Sequence, residues 1–239
     1  MMDKFKDFKI TAKLKERAKI TTERLYALYG YGDAGRVLPA VDELIFTILS
    51  QNTTDKNTWV AFNNLKERYK SWDMLLSAPL EDIIAAISYA GLSAQKGPRI
   101  KRVIEILHEK SGEITLDFLS DLSVEEGIEF LTSLPGVGRK TASCVLLFNF
   151  NKPAMPVDTH VLRISALLGL IPPNITADEA CYLLEKIVAV EDYLRFHVNI
   201  IIHGRNLCKA RARKCGECPL TDICEFLQSL SADRQDVNI

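Results

Sequence analysis

The 239 residues carry 47% hydrophobic and 26% charged side chains at a formal net charge of -1, which excludes a disordered polyelectrolyte and leaves material for one large core or two smaller ones. Near-neutrality neither requires nor excludes a nucleic-acid partner, whose contacts would have to come from local basic patches. The longest run free of Asp, Glu, Lys and Arg, Ile164 to Ala177, is broken by Pro172 and Pro173 and is too short to span a bilayer.

The N-terminus alternates Lys4, Lys6, Lys9, Lys13 and Lys15 with acids and lacks the apolar segment of a signal peptide, so a cytosolic protein is expected. From there helical periodicity recurs and strand alternation does not, which predicts an all-α chain. The first helix is expected over roughly 12–29. Val41, Leu44, Ile45, Ile48 and Leu49 then follow i, i+3, i+4, i+7, i+8, as an amphipathic helix with one buried stripe does. Helices over 57–70 and 80–88 precede a shorter run of the same kind, Ile100, Val103, Ile104 and Leu107. Further helices are expected over 123–133, 139–149, 159–168 and 192–207, joined by short Gly, Pro, Asn or Ser turns. The 139–149 helix holds Ala142, Cys144, Val145, Leu146, Leu147 and Phe148, apolar almost all round, and should be central. Ahead of the stripe Ala180, Leu183, Leu184, Ile187 and Val188, the segment Thr176-Ala177-Asp178-Glu179 has capping-box spacing.

Three motifs carry chemistry. Leu134-Pro135-Gly136-Val137-Gly138-Arg139-Lys140 joins a two-glycine hairpin to a helix start. Gly136 and Gly138 permit a tight turn and close approach of a ligand, while the free N–H groups of the next helix favour an anion such as a phosphate, making Gly136, Val137 and Gly138 a candidate cradle. Lys140, on the first turn of that helix, sits in positive potential that favours its free amine, the form needed for Schiff-base chemistry. Eighteen residues on, Val157-Asp158-Thr159-His160 supplies a carboxylate, which could equally be the N-cap of the helix bearing Val161, Ile164 and Leu168. His160 reads as a structural hydrogen-bonding residue. His108, His197 and His203 show no ligand spacing and receive no role.

The third motif is a quartet, Cys208, Cys215, Cys218 and Cys224, with gaps of six, two and five. A disulfide framework does not suit a large chain with a good apolar core, so metal ligation is the main reading, with zinc and [4Fe-4S] about equally compatible with four thiolates. Cys144 and Cys181 lie inside predicted helices as small buried residues. Between the first two ligands run Lys209, Arg211, Arg213 and Lys214, with Arg205 upstream. A basic loop pinned at both ends by ligated cysteines is pre-organised for a polyanion.

In this order the three motifs resemble the endonuclease III family of helix-hairpin-helix DNA glycosylases over nearly the whole chain. The resemblance implies a two-domain fold: a six-helix barrel over about 32–150, and a second domain built from both termini, 1–31 with 151–239, with Lys140 and Asp158 meeting in the cleft between them. It implies that the cysteines hold a [4Fe-4S] cluster, that Lys140 is the amine forming an imine with deoxyribose, and that Asp158 assists base departure or activates the amine. A lysine at this place marks members that also break the strand by β-elimination. Ser50-Gln51-Asn52-Thr53-Thr54-Asp55 resembles the family's wedge segment; the family glutamine aligns with Asn52 and Gln51 lies one place earlier, so either amide could enter the duplex. Gly91-Leu92 resembles the second wedge, although a helix-ending glycine before a core leucine would look the same. Thr132 stands where some bacterial members have an acid lining the pocket. The expected activity is excision of oxidised pyrimidines and cleavage at abasic sites in double-stranded DNA with the target flipped out. The expected protein is a monomer, cytoplasmic and nucleoid-associated. The alternatives are a glycosylase for mismatched uracil or thymine, and a non-catalytic zinc-containing DNA-binding module.

Overall fold

The computed structural model describes residues 8–30 and 38–235, with side chains through residue 230. Lys4 and Lys6, and the expected boundary at 31–32, lie outside the described residues. Twelve α-helices are described: α1 Ala12–Tyr29, α2 Ala40–Ser50, α3 Asp55–Arg68, α4 Met74–Ser77, α5 Leu80–Ala86, α6 Ser93–Ser111, α7 Val124–Ser133, α8 Arg139–Phe150, α9 Thr159–Leu167, α10 Ala177–Ile187, α11 Tyr193–Asn206 and α12 Glu225–Gln235. The one extended pairing among the described residues is an isolated bridge between Cys208 and Arg213. No described helix is long and apolar enough to cross a membrane.

Two compact units emerge, one spanning Val37–Lys152 and the other joining Met1–Arg36 to Pro153–Ile239. The first holds α2 to α8. Its α8 is the central helix that its all-round apolar character predicts: Thr141, Ala142, Ser143, Cys144, Val145, Leu146 and Leu147 are buried, and only Phe148 of the expected set is half-exposed. Helix α2 departs from the one-stripe expectation. Beside its apolar stripe it buries Asp42, Glu43 and Thr47, so three polar side chains need internal partners. Asp42 finds them in the indole N–H of Trp72, at 2.7 Å, and the Lys66 ammonium, at 3.1 Å. Helix α6 begins seven residues ahead of the periodic run that predicts it, because that first stretch contains Gly97 and Pro98, which interrupt the pattern. Gly97 is required there by packing: a Cβ would come within 2.6 Å of Ile84 Cγ1 on α5.

The second unit packs α1 on α11 and α9 against both α10 and α11. The capping box predicted at Thr176 is present in both directions: Glu179 N–H donates to Thr176 Oγ1 at 3.2 Å, and Thr176 N–H donates to Glu179 Oε2 at 2.8 Å. A second box, Ser123 with Glu126, opens α7 in the first unit. Gly204 lets α11 approach α9, since any Cβ there would collide with the His160 ring.

Candidate active site

The hairpin before α8 is a type II turn in its essentials, with Pro135 leading, Gly136 at φ +80°, and Val137 N–H donating to Leu134 O at 3.1 Å. Gly136 is obligatory twice over: the left-handed backbone disfavours a side chain, and a Cβ would lie 2.7 Å from Arg99 Cδ. Gly138 differs. It sits in ordinary extended backbone at φ -97°, and a Cβ on it would meet nothing within 4 Å, so the fold itself makes no demand for glycine there. What it leaves is bare main chain at the N-terminus of α8, which opens without a side-chain cap, the arrangement that suits an external anion. Val137 between the glycines is buried and anchors the turn. Half-buried Arg99 brings to the hairpin a cation that no sequence motif marks.

Lys140 is half-buried on the first turn of α8. Glu43 of α2, equally unmarked by any motif, is buried and interacts electrostatically with it. Burial pushes the Glu43 carboxyl above its usual range, against the opposing pull of the Thr47 hydroxyl, which donates to it at 3.2 Å, and of the Lys140 charge.

Two further loops of the same unit hold the expected wedge residues, and their environments separate them. Gln51 is half-buried and spends its amide on the hairpin, donating to Gly136 O at 2.9 Å. Asn52, the next residue, is exposed at φ +54°. Leu92 is not a core leucine: it is 49% exposed at φ +51°, beside Tyr89 at 60%. Thr132 is exposed and its hydroxyl is turned back to Ile128 O, at 2.7 Å.

In the other unit, Asp158 is the N-cap of α9, its Oδ1 accepting from Val161 N–H at 2.8 Å. The segment leading to it is fastened by α10 and α11: Met155 N–H donates to Glu185 Oε1, Cys181 Sγ donates to Met155 O, and His197 Nδ1 lies 2.8 Å from Pro156 O. Cys181 and His197, read from the sequence as inert or roleless, are therefore parts of this clamp. His160 Nδ1 lies 3.4 Å from an Arg163 nitrogen.

Cys208, Cys215, Cys218 and Cys224 line one cavity together with Leu167, Leu207, Phe226 and Leu227 and the basic Arg213 and Lys214. Among the described residues no three His, Cys, Asp or Glu side chains converge closely enough for a single metal ion. Two groups point at the sulfurs: Leu220 N–H reaches Cys218 Sγ at 3.4 Å, and Arg163, which donates to Cys208 O at 2.8 Å, lies 3.9 Å from Cys208 Sγ. Buried His203, another residue the sequence left without a role, stands between Tyr29 Oη at 3.2 Å and Cys218 Sγ at 3.5 Å. Burial, then the Arg163 charge, lowers its pKa to about 4, so it is a neutral imidazole near pH 7. Arg205, Lys209, Arg211, Arg213 and Lys214 are all exposed around this loop. Arg213 also stacks over Phe226 at 4.7 Å, and Lys214 pairs with Glu217 at 3.6 Å.

Similarity to known proteins runs through both units. Residues 45–189 match the family described as HhH-GPD superfamily base excision DNA repair protein. Endonuclease III of Thermotoga maritima is 39% identical over 183 residues, covering 77% of this chain and 81% of that protein. Endonuclease III of Sulfolobus acidocaldarius is 33% identical over 216 residues, covering 90% and 93%. Among solved structures, a trapped endonuclease III–DNA covalent intermediate superposes with a TM-score of 0.78 at 29% identity, covering 91% of this chain and 98% of the other.

Proposed function

The chain belongs to the endonuclease III family of the HhH-GPD superfamily, making it a base excision repair DNA glycosylase with the AP lyase activity expected of that family, and we propose that Lys140 and Asp158 carry out its chemistry. The substrate in this reading is double-stranded DNA with an oxidised pyrimidine or an abasic sugar turned out of the stack, taken by a monomer. The observation that carries it is the N-terminus of α8, where a primary amine stands one turn from uncapped main-chain amides and a glycine with open space in front of it.

The anion-seeking amides of Gly138 and the first turn of α8 hold the strand while Lys140 Nζ attacks C1′. The C1′–N bond breaks as the C1′–Nζ bond forms, and the base leaves with its electron pair and a proton. Asp158 stabilises positive charge developing on the sugar or takes the proton released by the amine. Ring opening gives the imine. Loss of a C2′ proton then expels the 3′ phosphate and breaks the strand, and water releases the lysine. The covalent endonuclease III–DNA complex supports an enzyme–DNA bond of this kind for the present chain.

Asn52 is the residue of the first loop that enters the duplex, because Gln51 already bonds the hairpin, and Leu92 fills from the second loop. The four cysteines hold a [4Fe-4S] cluster. A single tetrahedral ion draws four sulfurs to about 2.3 Å from one point, whereas here they line a cavity shared with Leu167, Leu207, Phe226, Leu227, Arg213 and Lys214. With the cluster held there, the loop bearing Lys209, Arg211, Arg213 and Lys214 would be pinned at both ends for contact with DNA phosphates; the chemistry of the sugar belongs to Lys140 and Asp158.

Borohydride reduction with abasic duplex DNA is expected to give a covalent adduct with the wild type and none with Lys140→Ala. A wild type that forms no adduct removes the lyase assignment. A set of duplexes with one lesion each decides the base: release of oxidised pyrimidines supports the reading, and release confined to mismatched uracil or thymine replaces it. Purified protein is expected to be brown with broad visible absorbance, and colourless protein with stoichiometric zinc would contradict the cluster.

A further inference from the structure

We propose that Lys96 is a positioning residue that holds both duplex-entering loops in register, a role that rests on the reading of Asn52 and Leu92 given above. Lys96 is among the largest fully buried side chains of the protein, 1% exposed, on the first turns of α6. Its ammonium has three donors, and the structure gives each a carbonyl: Leu49 O at 2.7 Å, Gln51 O at 2.7 Å and Ala90 O at 2.9 Å. Its own main-chain N–H bonds Leu92 O at 2.9 Å.

Those acceptors belong to two separate places in the chain. Leu49 and Gln51 close the C-terminal end of α2, where the last carbonyls lack helical partners and favour a cation; Ala90 closes the short 3-10 turn ahead of Gly91 and Leu92. Asn52, directly after Gln51, and Leu92, one glycine beyond Ala90, are both exposed in left-handed backbone, at φ +54° and φ +51°. Non-glycine residues hold that conformation at a cost, and persist in it where the surroundings over-determine them. Lys96 supplies that determination from beneath both loops at once, while the Gln51 amide carries the connection to the hairpin at Gly136. Burying an ammonium is costly unless it is fully hydrogen-bonded, and burial, then the Arg99 charge, pushes Lys96 below its usual pKa. An apolar side chain of the same length would fill the volume with no such cost. It would leave three carbonyls unpaired and the two loops unlinked.

The consequence is a selective defect. Filling a duplex requires both loops; attack on an abasic sugar in single-stranded DNA, with no stack to fill, requires only the α8 site. The test uses the full chain and an abasic oligonucleotide, single-stranded and annealed, with borohydride trapping rates measured on each. Lys96→Met is expected to keep the wild-type circular dichroism and single-stranded rate while the duplex to single-strand ratio falls about tenfold, since displacing a positioned group by about 1 Å costs up to 100-fold. Lys96→Arg keeps the charge but presents a planar fork that does not match three converging carbonyls, and its ratio is expected to fall too; if the methionine protein does not fold, the arginine protein decides alone. A wild-type ratio in the folded variants, or equal losses on both substrates, overturns this role. A wild type that traps neither substrate fails the imine reading itself and takes this role with it.

Discussion

Different substitutions separate the capping of α9 by Asp158 from the catalytic role proposed for it. Its carboxylate caps α9 through Val161 N–H, and in the proposed reaction its charge stands near the sugar. Asp158→Asn keeps a capping oxygen and removes the charge, so its melting temperature should match wild type while glycosylase activity is lost. Asp158→Ala should lose activity and also about 1 kcal/mol of stability, the usual worth of an N-cap, visible in denaturant titration. A stability loss equal in both variants would contradict this division. Glu43 makes a second residue-scale prediction. Its folded pKa is raised chiefly by burial, so the stability it contributes is present below the unfolded value of about 4.3 and is lost as pH rises through the folded value. Glu43→Gln does not titrate and should gain on wild type as pH rises from about 4 to 7; thermal melts across that range check it. The same variant removes a negative charge facing Lys140, so the rising limb of adduct formation should move to lower pH. Neither Glu43 nor Lys96 was legible in the sequence. Glu43 is a charged residue within a predicted amphipathic helix and Lys96 lies ahead of the periodic run from Ile100, and their partners include groups 45 residues or more away along the chain.

At the scale of elements, helix starts were the most legible feature and the reason is local. A capping box acts within four residues, so Thr176 and Glu179 announce α10 without reference to anything distant. The start of α6 was hidden because Gly97 and Pro98 break its periodicity for reasons of packing against α5. Leu92 was ambiguous because a leucine after glycine reads alike in a core and at a protruding tip; only the folded environment, half-exposed and left-handed, distinguishes them. Close approach of α11 to α9 at Gly204 yields a prediction of its own. Gly204→Ala drives a methyl into the His160 ring and should destabilise the protein by about 1–3 kcal/mol as overpacking does, measured by urea titration. An unchanged midpoint would show that His160 moves aside at no cost.

Across the whole molecule, a formal charge of -1 means that attraction to DNA is built from a few placed cations rather than a general field. The exposed loop from Lys209 to Lys214 is the densest such place, and its cysteine frame was legible because ligand spacing is a local signal. The partner residues Arg163 and Tyr29 were not, since they come from helices distant in sequence, and His203, though near Cys208 in the chain, shows no ligand spacing. Replacing Lys209 and Arg211 by alanine should weaken duplex binding alike for every sequence and reduce the slope of log K against log salt by about 0.9 for each phosphate no longer neutralised. An unaltered slope would place the DNA-binding cations elsewhere. The most direct test of the reaction itself is to locate the bond it forms. After borohydride reduction with abasic duplex DNA, nuclease and protease digestion followed by mass spectrometry should find the sugar remnant on the peptide containing Lys140; a remnant on any other amine, with Lys140 unmodified, would contradict the mechanism.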